Sequence, residues 1–299
     1  MSAVPGSAEI VYAAPKRRHP ALTFLVQQPL GAAGLAVIVL MIFAALLAKS
    51  VAPYDPLTVD YANILAHPSW EHWLGTDNFG RDVLSRIIYG AQTALSVGFL
   101  ASILGSTLGA VIGVASAYFG GRIDMFVQRL MDVLLSFPII VLALAVVAIL
   151  GKNILLGVDV NLVIAIGLPM VPKVARVARA SALAIREMPY IDAARAAGFS
   201  HTRIIFRHIV PNVTAPYLIM LTAFVGQAIL LEASLSFLGL GATEPTPAWG
   251  LMLSGSAIGF YQQAPWMIVF PGLAISLAVF AFNLFGDSLR DWLDPKIKL

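Results

Sequence analysis

Acid–base and metal chemistry need histidines and carboxylates that can meet. The five histidines are His19, His67, His72, His201 and His208. None stands in the HExxH spacing that sets two imidazoles on one helix face around zinc. His201 and His208 lie among arginines, which reads as a solvated helix face. The chain has no cysteine, which excludes disulfides, thiolate nucleophiles and Cys-ligated metals. It has no GxxxxGK[ST] run, the backbone cradle for nucleotide phosphates. Glu232 is the one acid set into the long apolar runs. An acid there can line a gate, and the plainer reading is a helix-end acid at an interface. No catalytic and no metal site is expected.

The remaining charged stretch, Asp192 to Pro211, reads DAARAAGFSHTRIIFRHIVP. Its chemistry is docking. Pro189 suits a first helical turn, where its missing N–H costs nothing. Ala193, Ala194, Ala196 and Ala197 are strong helix formers with almost no bulk. Gly198 stands where a left-handed C-terminal cap belongs. Ser200 can cap a second helix with Ile205 and Ile209 on one face, expected to stop at Pro211. Small side chains let a partner's groove come close to the backbone.

The elements that must position this segment are membrane helices. Of 299 residues, 59% are hydrophobic and 12% charged, and the mean hydropathy is +0.85. Soluble domains run at roughly 25% charged. An all-α integral membrane fold follows, because several apolar runs approach the roughly 20 residues a bilayer core requires. The net charge of +3 reads as topology and not as nucleic-acid binding. Lys16, Arg17 and Arg18 precede an apolar run too long for a signal peptide, so a retained first span is expected. Residues 1–15 read as a disordered tail.

Six spans are predicted, at 29–48, 93–118, 133–150, 161–180, 212–231 and 266–285. The fourth is the weakest. Lys173, Arg176 and Arg179 crowd its end, and Pro169 and Pro172 break its pattern. It reads as a helix that leaves the bilayer early. With the N-terminus inside, fifteen Lys and Arg face the cytoplasm and four face out, so both termini and the docking segment are expected inside. The domains are then a tail (1–28), a first helix (29–52), an extracytoplasmic segment (53–89), a five-helix domain (90–288, coupling loop 181–211) and a C-terminal tail (289–299).

Outside lie 53–92 and 236–265, both expected to be partly re-entrant. Trp70, Trp73, Trp249, Tyr261 and Trp266 suit a membrane interface. Asp77, Arg81 and Asp82 sit beside Gly75 and Gly80, polar groups on a turn-rich backbone. They read as a gate or binding-protein contact, or as a local ion pair. A small residue recurs every fourth position at Ala101, Gly105, Gly109, Gly113, Ala117 and Gly121. Such a stripe lets helices pack backbone to backbone, here within the chain rather than between subunits.

These residues resemble a known family. The chain is similar to the membrane permease subunits of ATP-binding-cassette importers, most of all the second permease of the dipeptide, oligopeptide and nickel group. Asp192, Ala193, Ala194, Gly198, Ile209, Val210 and Pro211 resemble the family's cytoplasmic signature, with Asp for Glu and Val for Leu. HWLGTDNFGRDVLSRIIYGAQTAL (72–95), GGRIDMFVQRLMDVLLSFP (120–138), LEASLSFLGLGA with PAWG (231–250) and FNLFGDSLRDWLDPK (282–296) extend the likeness from about Leu30 to the C-terminus.

The resemblance implies a type I importer fold in a bacterial or archaeal cell membrane. It implies two paired permeases, usually distinct, and two ATPase subunits beneath that bind the ATP and Mg. An external binding protein would deliver peptides or a related solute. Residues 192–198 would be the coupling helix, and transport would be by alternating access. This chain itself would carry no cofactor and no enzymatic activity. The competing readings are an ion-coupled carrier, disfavoured by the nearly acid-free spans, and a polytopic scaffold.

Overall fold

A computed structural model describes residues 20–293, an all-helical bundle. The tail 1–15, Lys16 to Arg18, Lys296 and Lys298 lie outside the described residues. Helix α1 (Pro20–Gln27) precedes α2 (Pro29–Leu46), and α3 (Ala48–Val51) extends it. The long helix α4 (Val83–Phe119) follows an irregular segment, 52–82. Next come α5 (Gly121–Leu135), α6 (Ile139–Leu150), the hairpin β1 (Ile154–Leu155) and β2 (Val158–Asp159), and α7 (Val160–Gly167). The second half holds α8 (Val171–Arg186), α9 (Pro189–Ala196), α10 (His201–Ile204) and α11 (Val210–Phe237). Short α12 (Trp249–Met252) and α13 (Ser256–Gly259) lead to α14 (Trp266–Leu293).

Among the described residues, five helical stretches are long and apolar enough to cross a membrane, six if the bent pair α5–α6 counts as one span. Their bounds correct the sequence reading in physical ways. The second span starts at Val83 and not at Thr93, because the Asp82 carboxylate accepts the Ser85 N–H and caps the helix there. Its 37 residues reach about 55 Å, well past a bilayer core of about 30 Å. The third span is no straight helix. It bends by 93° at Ser136–Pro138. Pro138 offers no N–H and pushes Phe137 out of the helical region.

The fourth span is not broken by its prolines. A 3-10 turn (Leu168–Met170) holds Pro169, Pro172 opens α8, and the helix runs on to Arg186. The fifth does not begin after a stop at Pro211 but is continuous from His201 to Phe237. A π-turn (Ile205–Ile209), with Val210 N–H bonded to Ile205 O, absorbs the proline. The sixth runs to Leu293, past the predicted 285.

Two buried clusters tie the bundle. Val97, Ala101, Ile166, Met170, Phe224 and Ala228 join α4, α7, α11 and the 3-10 turn. Ile38, Ala94, Ile229, Ala278 and Phe282 join α2, α4, α11 and α14. The glycine stripe packs α4 directly on backbone. A Cβ on Gly105, Gly109 or Gly113 would lie 2.5, 2.6 or 2.3 Å from the carbonyl oxygens of Gly167, Val171 and Ala175. Gly121 leaves the stripe: it sits at φ +57° in open space, so the spacing ends at Ala117.

Candidate coupling site

Helix α9 is short, and its two faces differ. Ile191 and Ala194 are buried on a cluster of Val114, Ala117, Ala178, Ala182, Ile204 and Ile209, drawn from α4, α8 and the start of the fifth span. Asp192, Ala193, Arg195, Ala196 and Ala197 are exposed. The helix ends in a Schellman motif. Gly198 N–H donates to Arg195 O at 2.9 Å and Phe199 N–H to Ala194 O at 3.1 Å. Gly198 has φ +76°, which favours glycine, and a Cβ there would meet nothing within 4 Å. Ser200 Oγ accepts the Arg203 N–H at 3.4 Å and starts the next helix. Asp192 pairs with its own helix neighbour Arg195 at 3.0 Å. Ile209 is buried, and Pro211 is exposed at the start of α11.

The segment is braced from behind. His201 is exposed, yet its Nδ1 lies 2.7 Å from the Tyr118 hydroxyl at the end of α4. His208 stacks beside Phe199 at 6.3 Å, with its Nε2 buried and unpartnered. Neither is a merely solvated residue: His201 meets the end of α4, and His208 lies beside Tyr190 of α9 and Phe199. Asp124 of α5 accepts the Arg179 Nε–H at 2.6 Å, and Asp132 pairs with Arg176.

The opposite end holds a second polar cluster. Asp77, Arg81 and Asp82 are all buried, so they present no exposed contact face. Arg81 Nε donates to Asp77 at 2.6 Å, and its Nη1 donates to Glu244 at 2.6 Å. Arg86, fully buried, donates to the carbonyls of Pro56 and Pro245. Burial alone would lower the Arg81 pKa, but bonds and charges from Glu244 and Asp77 outweigh it and hold it above its usual value. Asp82 also pairs with His72 Nδ1 at 3.0 Å. This network joins the 53–82 segment to the 239–265 loop.

Two readings change here. Trp249 and Trp266 do not face the membrane interface: both are buried and donate their indole N–H to Ile87 O and Thr76 O. Trp70, Trp73 and Tyr261 are exposed. Glu232 is not at an interface either. It is 1% exposed and accepts a 2.7 Å hydrogen bond from the Ser236 hydroxyl. A distant loop packs on the same helix: a Cβ on Gly250 would lie 2.0 Å from Ala233 O.

The fold is that of a multi-pass membrane protein with an exposed, glycine-capped helix at one end and loop-covered helices at the other. Residues 105–299 match the family described as "Binding-protein-dependent transport system inner membrane component", and 21–68 match the N-terminal transmembrane domain of oligopeptide transport permease C. The dipeptide transport system permease DppC of Alkalihalophilus pseudofirmus is 44% identical over 92% of this chain and 88% of its own length. The glutathione transport system permease GsiD of Escherichia coli is 43% identical, covering 87% and 84%. In the MetNI methionine ABC transporter, solved inward-facing, one chain shares the fold with TM-score 0.51 and 16% identity over 70% of this chain and 96% of that one. The chain belongs to the inner-membrane permeases of binding-protein-dependent ABC importers, with the type I transmembrane fold.

Proposed function

We propose that this permease forms half of a translocation path for di- or oligopeptides and couples it to a separate ATPase through α9. The names of its relatives support the peptide class. One observation carries the coupling role. Ile191 and Ala194 anchor α9 to three spans, while its small outward face is left bare. A push on that face therefore moves α4, α8 and the fifth span together. In this reading ATP binding draws the coupling helices of two paired permeases, here two distinct chains, toward each other and opens the path outward. Hydrolysis by the ATPases, which hold the ATP and Mg, resets it. This chain contributes no cofactor and no chemical step.

The charge bias puts α9 and both termini in the cytoplasm and the Arg81 network outside. Asp77, Arg81 and Asp82 then serve as a buried brace that keeps the outer mouth rigid and do not themselves touch a binding protein. The test of docking is cross-linking in the assembled importer. With Ala193→Cys in this cysteine-free chain, a short thiol cross-linker should join it to a single cysteine in the ATPase groove, with a yield that changes with nucleotide. Cross-linking from a cysteine at Trp70 instead would overturn the assignment.

A further inference from the structure

At the outer end, a cavity of about 430 Å³ opens between the first turns of α4, the β1–β2 hairpin and the 241–247 loop. That volume is within the range of small-molecule sites, roughly 300–1,000 Å³. Its α4 wall carries Tyr89, Gln92, Thr93 and Ser96. Opposite stand one cation and one anion, Lys152 and Asp159. They flank the same hairpin, whose strands pair Ile154 with Asp159 and Leu155 with Val158. Neighbouring opposite charges ordinarily pair, and these two make no ion pair with each other among the described residues.

The geometry shows why. Lys152 Nζ is drawn across the cavity to the Thr243 hydroxyl at 3.1 Å. Asp159 Oδ1 is held by three backbone N–H groups, those of Asn153, Asn161 and Leu162, at 3.2, 3.0 and 3.3 Å. None of those bonds uses Oδ2. The fold thus holds a positive and a negative group apart at the edge of one cavity. Each has been denied the partner that would neutralise it.

We propose that this cavity is a zwitterion subsite for the transported solute. Lys152 would receive a terminal carboxylate, and the Asp159 Oδ2 side would receive a terminal ammonium. The proposal rests on the peptide reading above and deepens it. An extended dipeptide carries its two opposite end charges about 7 Å apart. The wall from Tyr89 to Ser96 supplies hydroxyl and amide groups for the peptide backbone between them. No covalent step is involved, and the subsite would be a first resting place at the outer mouth.

The test uses the complete importer in nanodiscs, with its binding protein loaded with a radiolabelled dipeptide bearing a diazirine side chain. Illumination should label 89–97 and 152–162. Lys152→Met should cut that labelling about tenfold, as expected for one lost charge-assisted bond, and Lys152→Arg should restore it. Asp159→Asn keeps an oxygen for the helix N-terminus and should still lower labelling, which separates charge from folding. Label confined to other segments, or labelling unchanged in both Lys152→Met and Asp159→Asn, would overturn the subsite while leaving peptide transport standing. No uptake of any di- or oligopeptide by the wild-type importer would overturn the peptide reading, and the subsite with it.

Discussion

Replacing Gly198 isolates what the coupling helix needs. Its φ of +76° lies in the left-handed region, which costs a residue with a Cβ about 1–2 kcal/mol. A β-branched side chain stands at the upper end of that range or beyond. No steric term adds to this, because a Cβ at Gly198 meets nothing within 4 Å. If the backbone relaxes instead, the two cap bonds to Arg195 O and Ala194 O are lost, at about 1 kcal/mol each. The helix is eight residues long, below the roughly 12–15 that hold together alone, so its order depends on that cap and on Ile191 and Ala194. About 2 kcal/mol reduces the docked conformation roughly 30-fold. In the reconstituted complex, Gly198→Val should lose most ATPase stimulation by loaded binding protein while the permease still inserts. Gly198→Ala should lose less, and Gly198→Asn least, since Asn tolerates the left-handed region. Wild-type stimulation in Gly198→Val would refute the reasoning. Equal damage from Asn and Val would show that a side-chain clash, and not backbone conformation, is responsible.

The glycine stripe should be intolerant of bulk. Gly113→Val drives carbon onto Ala175 O and should lower the thermal midpoint in detergent, the overpacking costing about 1–3 kcal/mol, whereas Gly272→Ala, in open space, should not; equal midpoints would contradict the packing. Arg81→Met should leave buried Asp77 with only Arg86, at 3.7 Å, as a cationic partner, costing at most about 3–5 kcal/mol, and expose the loops it joins to protease, while Glu244→Gln, on a half-exposed partner, should do far less; limited proteolysis ranks the two. For topology, a cysteine at Ser200 should react with a membrane-impermeant thiol reagent only from the cytoplasmic side, and one at Trp70 only from outside; the reverse pattern would invert the orientation.

What the sequence disclosed was mostly local. The α9 cap was readable because Gly198 and Ser200 act within a few residues of themselves. The stripe was readable because a four-residue spacing maps directly onto a helix face. Prolines misled. Pro211 looks like a stop, but a π-turn one residue upstream lets the helix pass through it. Pro138, inside an apolar run, turns the chain by 93°. The outer loops were least legible because their contacts are distant in sequence. Glu244 meets Arg81 across 163 positions, and Trp266 reaches Thr76 across 190. Nothing near Glu232 announces that its side chain will be buried or that Gly250 will pack on its helix.

The central claim is that this permease moves its solute only when a partner ATPase works on α9. Proteoliposomes holding the assembled importer, with binding protein and labelled dipeptide outside and nucleotide trapped within, measure that directly. The account predicts uptake that requires both MgATP and binding protein, is absent with a non-hydrolysable analogue, and is lost in Gly198→Val. Uptake driven by a proton or sodium gradient without nucleotide would contradict it.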